Sequence, residues 1–359
     1  MPHNRAIAVL SLLLLSASLA RADGKFYSSE PVPPGVPYQR ALLMYDYGTE
    51  TLILQSKFRT SGKPEPGAAL GWVVPVPAVP ELDSIDAEAA SSIFRYLDSY
   101  SEPHEIQIPT IPLAVFLAGL SLLLVLHFRF RGIIDRLILL LSVLNLGMVI
   151  YIVTWFVPTT YPLGIDILDD KEIGIYRAQV VKTDNSSDLV AWLNENGFHF
   201  QPADQPVLDD YIKRGWRFIV AKVKPGEEKN ALDTHEGLAD PLVLRFATKV
   251  PVYPLALTGT TGASTEVLLY VLARTKMQCS KNLELRYAHT LPFHSELSNR
   301  AMIKTLKLNL RHDVLNNDVL TLHLCKFKGT LTPAQMASDL ELAPAADNEP
   351  YRERIVRWN

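Results

Sequence analysis

Two apolar runs only eight residues apart constrain this chain more than any other feature. Residues 111–128 form a run of 18 with His127 as the sole ionisable group, and residues 137–157 form a run of 21 with none. As helices they would be about 27 and 31 Å long, close to the ~30 Å of a bilayer's hydrocarbon core. The competing reading is a pair of buried core helices. The flanks favour spans: Arg129, Arg131 and Arg136 against Asp135 make a net-positive loop of the kind retained in the cytoplasm, and Tyr151, Trp155 and Tyr161 resemble an interfacial belt. The pattern predicts a transmembrane hairpin within 108–157, with loop 129–136 inside. Gly119, Ser121, Asn145 and Gly147 suit close helix packing, within the hairpin or in a homodimer through it. Neither run carries a mid-membrane charge, which disfavours transport.

A third apolar run, residues 6–20, follows Arg5 and ends at Ala20-Arg21-Ala22, with small residues where signal peptidase requires them. Residues 1–22 are therefore expected to be a signal peptide, with an uncleaved anchor as the alternative. Both topology signals place 23–107 and 158–340, with a tail of 341–359, on the extracytoplasmic side of a two-span inner-membrane protein. The lipid bilayer is then its first partner, and another envelope protein a second. Mean hydropathy is +0.09, and 48% of the 359 residues are hydrophobic against 20% charged, which excludes disorder. A net charge of −3 gives no electrostatic footprint for nucleic acid.

The outer segments read as strands with a few helices. Residues 39–45 and 51–58 flank Gly48 as a hairpin, with Leu52, Leu54, Ser56 and Phe58 on one face. Residues 87–100 set Ala90, Ile93, Phe94 and Leu97 at helical spacing. Residues 173–182, 216–224, 242–247, 267–274, 283–288 and 319–327 read as further strands. Helices are expected after Ser186 or Ser187, over 205–214, and from Thr332-Pro333. Strands and helices do not alternate regularly. The expected fold class is α+β: a mainly antiparallel sheet with flanking helices, split by the inserted hairpin.

The stretches LGWVVPVPAVPEL (70–82), LVAWLNENGF (189–198), DDYIKRGWRFIVAKV (209–223) and DPLVLRFATKVPVYPLAL (240–257) together resemble a family of exported bacterial proteins, domain of unknown function number 2330. The resemblance covers most of 23–275 and implies an extracytoplasmic, often membrane-anchored domain. It carries no activity, so no catalytic residue follows from it.

Candidate chemistry is sparse. Cys279 and Cys325 are the only cysteines. In an exported protein they suggest a disulfide closing a loop of about 47 residues, contributing roughly 4 kcal/mol. A buried thiol pair, or a zinc site with His323, remains open. Pro75, Pro77 and Pro80 cannot donate to a ladder, so the strand carrying Trp72 reads as an edge able to accept a partner strand. His289, His294, His312, Asp313 and His323 are the pool for an unrecognised histidine–carboxylate enzyme. No nucleophile elbow, zinc helix or phosphate-loop lysine is found, and no cofactor or metal is expected. The sequence supports a binding or scaffolding module over an enzyme.

Overall fold

Tyr47 and Gly48 both take positive φ, 43° and 77°, the two left-handed residues that a type I′ turn requires. They join β2 (Gly35–Asp46) to β3 (Thr49–Arg59). The structure, a computed structural model, describes residues 24–29, 34–60, 70–108, 164–224, 236–279, 283–293, 300–307 and 320–358. Leu52, Leu54 and Phe58 of β3 face one core and Ile53 another. Being covered on both sides is why these strands read as nearly continuous apolar runs.

The hairpin lies in the middle of a nine-stranded sheet. The path runs β18 (Tyr351–Arg352), β15 (Glu284–Phe293), β16 (Leu320–Leu331), β13 (Thr265–Ala273), β2, β3, β11 (Leu242–Ala247) and β5 (Glu81–Ser84), with β10 (Glu236–Leu238) also pairing with β3. Every pairing is antiparallel except β2 with β13, which are parallel from Gln39↔Val267 to Tyr45↔Ala273. A five-stranded sheet has the order β1 (Lys25–Ser28), β4 (Leu70–Val76), β9 (Arg217–Val223), β8 (Tyr176–Thr183) and β7 (Ile165–Ile173). A small third sheet sets β17 (Leu340–Pro344) between β12 (Val252–Tyr253) and β14 (Met277–Cys279). Both large sheets combine strands from before and after residues 109–163.

The cores stack in layers. One cluster fills the space between the large sheets, with Trp72, Val74, Ile219 and Ala221 from one and Leu43, Leu54, Leu269 and Phe327 from the other. The outer face of the nine-stranded sheet is covered by α1 (Ala87–Tyr100) and α5 (Arg300–Thr305). The outer face of the five-stranded sheet is covered by α2 (Ser186–Glu195) and α3 (Gln205–Lys213). Helix α1 shows why the sequence complies: Asp86 caps it by accepting from Ala89 N at 2.7 Å, and it buries Ala90, Ile93, Phe94 and Leu97. At about 1.5–3 kcal/mol for each of the three large side chains, that stripe outweighs intrinsic propensity.

Several expectations are corrected. Among the described residues the fold is mostly β, 51% strand against 20% helix, rather than α+β with an inserted hairpin. No helix of the described residues is long and apolar enough to cross a membrane; the longest, α1, has 14 residues. The runs 111–128 and 137–157, the signal peptide and the proposed cytoplasmic loop lie outside the described residues. The expected two-span inner-membrane localisation is therefore not supported. Thr332-Pro333 opens a single turn, in which Met336 N donates to Thr332 O at 3.1 Å, and not a helix. The expected tail contains three strands: most of β17, then β18 and β19 (Arg354–Trp358). Among the described residues, 104–108 and 354–358 belong to a second unit, in which β19 runs parallel to β6 (His104–Ile108).

Candidate functional site

Because β2 and β13 are parallel and in register to Tyr45↔Ala273, they end at the same level, and the segments that follow them lie side by side. On one is the Tyr47-Gly48 turn, on the other Arg274. The Arg274 guanidinium lies 4.8 Å over the Tyr47 ring and donates to Asp46, Nε to Oδ1 at 2.9 Å and Nη2 to Oδ2 at 3.4 Å. Tyr47 is nonetheless 85% exposed.

A second wall comes from the loop after β11. Thr248 N donates to Gly48 O at 3.0 Å, Tyr45 Oη to Lys249 O at 3.0 Å, and Thr248 Oγ1 to Val250 O at 2.7 Å. Beneath the loop Glu50 is fully buried, and its Oε2 accepts from Val252 N at 2.9 Å. Burial pushes this carboxyl well above its usual 4.5, against the pull of the Val252 bond. The end of β17 closes the third side, tied to the loop by Leu342 N donating to Pro251 O at 3.0 Å.

These segments enclose an open groove of about 390 Å³. Tyr45, Tyr47, Val250, Pro251, Met277 and Leu342 give it an apolar lining, and Lys249 and Arg274 supply its charge; among the described residues no carboxylate lines it. Arg274 is held by Asp46, whereas the exposed Lys249 ammonium has no ion-pair partner among the described residues. Chemically, the arrangement offers apolar contact beside one uncommitted cation.

Other polar clusters are structural. Asp339 accepts from Tyr211 Oη at 2.5 Å, Arg214 Nη2 at 3.0 Å, Leu255 N at 2.9 Å and Ala256 N at 3.1 Å. A recess of about 420 Å³ lies beside it, but the carboxylate is engaged in tying α3 to the turn before α4 (Ala256–Gly259). Lys25 donates to Asp204 at 2.5 Å and to Thr260 Oγ1 at 3.2 Å, and Tyr27 Oη to Asp204 at 2.7 Å. Both Lys25 and Asp204 are fully buried, a clasp for β1. Burial lowers the Lys25 pKa and Asp204 partly offsets this.

The sequence-derived candidates fall elsewhere. Cys279 and Cys325 are both thiols, so the expected disulfide is corrected. Cys325 turns its sulfur to Met277 N at 3.4 Å, and burial pushes the thiol up to about 11, which keeps it in the unreactive protonated form. Trp72 is fully buried, stacked on Phe26 at 5.1 Å, and β4 is an interior strand between β1 and β9. Pairing with β1 stops at Val73, and Pro75 lies just past that point, paired only with Phe218 of β9. Pro77 and Pro80 follow the strand. The edges of this sheet are β1 and β7; β7 carries a bulge between Ile167 and Asp169 and ion pairs from Asp170 to Arg177 at 2.6 Å and from Asp166 to Lys182 at 3.6 Å, devices that discourage strand addition.

His289 and His323 lie on the neighbouring strands β15 and β16, with His323 opposite Thr290. Burial lowers the His323 pKa, and His289 and Lys276 add to this. His294, His312 and Asp313 lie outside the described residues. Among the described residues no group of three or more His, Cys, Asp or Glu could hold a metal ion. Sequence reasoning missed Tyr47, Lys249, Arg274 and Met277. The one local signal was tyrosine at a turn position where asparagine or aspartate is usual.

A family profile described as an uncharacterised protein conserved in bacteria, domain of unknown function 2330, matches residues 157–341. That range contains three of the four resembling stretches and extends beyond them to Asp339 and the start of β17; the stretch at 70–82 precedes it. No curated protein and no solved structure matches the chain.

Proposed function

This chain belongs to that bacterial family of unknown function, and from that premise we propose that it is a binding module whose recognition surface is the groove around Tyr47. The observation that carries this reading is an aromatic side chain 85% exposed on a residue with φ of +43°, a conformation that disfavours any residue but glycine, asparagine or aspartate. Tyr47 fills no core. It is stacked under Arg274 at the rim of an apolar groove. Tyrosine and arginine around a partly apolar centre are what protein recognition sites concentrate.

The buried titratable groups support the same reading, since Asp339, Asp204 and Lys25 are each engaged in joining elements. The test is a titration of the protein with small organic probes (phenol, isopropanol, acetamide and acetate), followed by NMR chemical shifts. The expected result is that shifts from several probes coincide at Tyr45, Tyr47, Val250 and Met277. Coincidence at the recess beside Arg214 and Asp339, or nowhere, would overturn the reading.

A further inference from the structure

We infer that the occupant of this groove is an extended peptide segment that sets an apolar side chain among Tyr45, Tyr47 and Met277 and a carboxylate against Lys249. The inference rests on the groove being the recognition surface and adds the chemistry of what binds there. Charge is the first argument. The whole chain carries −3, yet the described residues lining the groove include two cations and no carboxylate. Arg274 is already held by Asp46, so the uncommitted positive charge is that of Lys249. An anionic group there gains an attraction that no described side chain supplies.

Shape is the second argument. About 390 Å³ is room for one or two side chains, at the lower end of ligand sites. The rim residues Tyr47 and Val250 are 85% and 45% exposed, so an occupant can enter and leave along the surface as a chain does. A lipid surface would call for a convex tip that inserts, whereas these apolar groups line a hollow between three walls. A small inorganic anion would leave Tyr45, Val250, Pro251, Met277 and Leu342 uncovered.

The experiment selects displayed random peptides on the full chain. It then titrates the synthesised winners against the wild type, Tyr47→Ala and Lys249→Glu by fluorescence anisotropy. Both residues are exposed, and circular dichroism verifies that the variants fold. The winners should combine acidic with apolar residues. Their Glu→Gln counterparts should bind about three- to five-fold more weakly, and Tyr47→Ala and Lys249→Glu should each weaken binding roughly ten-fold.

Peptides that depend on Tyr47 but carry no acid, or that bind equally well with glutamine, would overturn the inference and leave the groove reading standing. Failure of every peptide where the organic probes do converge on the groove would also overturn the inference alone. So would Tyr47-dependent binding to phosphatidylglycerol vesicles in place of peptides. Peptide binding indifferent to Tyr47→Ala would overturn both.

Discussion

Replacing Glu50 with glutamine should stabilise the protein at neutral pH. The carboxyl is fully buried, takes one hydrogen bond from Val252 N at 2.9 Å, and leaves Oε1 without a partner. Glutamine keeps the shape and the acceptor for Val252 while removing the ionisation. Burial raises the folded-state pKa well above 4.5, so the folded chain holds this proton more tightly than the unfolded one. Below about pH 4.5 both states are protonated and the stability linked to this proton is fully present. As pH rises, the unfolded chain gains by ionising and the folded chain does not. Wild-type stability then falls by up to about 1.4 kcal/mol per pH unit until the folded pKa is passed.

The ceiling on the loss at pH 7 is therefore about 3.4 kcal/mol, and mutational experience with buried polar groups suggests roughly 1–3 kcal/mol. Urea denaturation of both proteins from about pH 4 to about pH 8 measures it, because subtracting the two curves cancels every other titrating group. The Glu50→Gln advantage should be small at the acid end and should grow with pH. An advantage that stays constant with pH, or a wild type more stable at neutrality, would refute the argument.

Two further outcomes follow from the buried polar clusters. Asp339→Ala leaves Tyr211 Oη and the N–H groups of Leu255 and Ala256 without their acceptor, and should cost about 3 kcal/mol or more in urea denaturation; a loss under about 1 kcal/mol would show that water replaces the carboxylate. Removing one partner of the Lys25–Asp204 pair, by Lys25→Met or Asp204→Leu, should cost about 3–5 kcal/mol. The double substitution should recover a large part of that, and a double mutant as damaged as the sum of the singles would show that the two charges do not act as a unit.

Local patterns in the sequence were read well where one segment sufficed. The stripe Ala90, Ile93, Phe94 and Leu97 emerges as the buried face of α1, and residues 242–247 as β11 with the same bounds. Gly197 and Gly215, with φ of 84° and 74° just past α2 and α3, are the left-handed glycines on which helices commonly end. Strand β7, IDILDDKEI, was hidden because its acidic side chains and bulge belong to a solvated edge, which carries little periodicity. Pro75 suggested an edge because proline lacks a donor, and the shortness of β1 is what lets it sit in an interior strand. The groove could not be read locally. Its residues come from 45–47, 249–251, 273–277 and 342–344, gathered by the parallel register of β2 with β13 and by the pairings of β11 with β3 and of β17 with β14.

That register also dictates when the chain can fold. Gln39 to Tyr45 pair with Val267 to Ala273, and β13 is in turn covered by β16, which ends at Leu331. On a ribosome moving at about 5–20 residues per second, the first hairpin would emerge tens of seconds before its neighbours. During that interval the N–H and C=O groups along the free edge of β2 have no native partner, and long-range pairing of this kind is slow to form even in a complete chain. The centre of the finished sheet therefore has to wait for residue 331, because its central pairing joins strands that lie more than 200 residues apart.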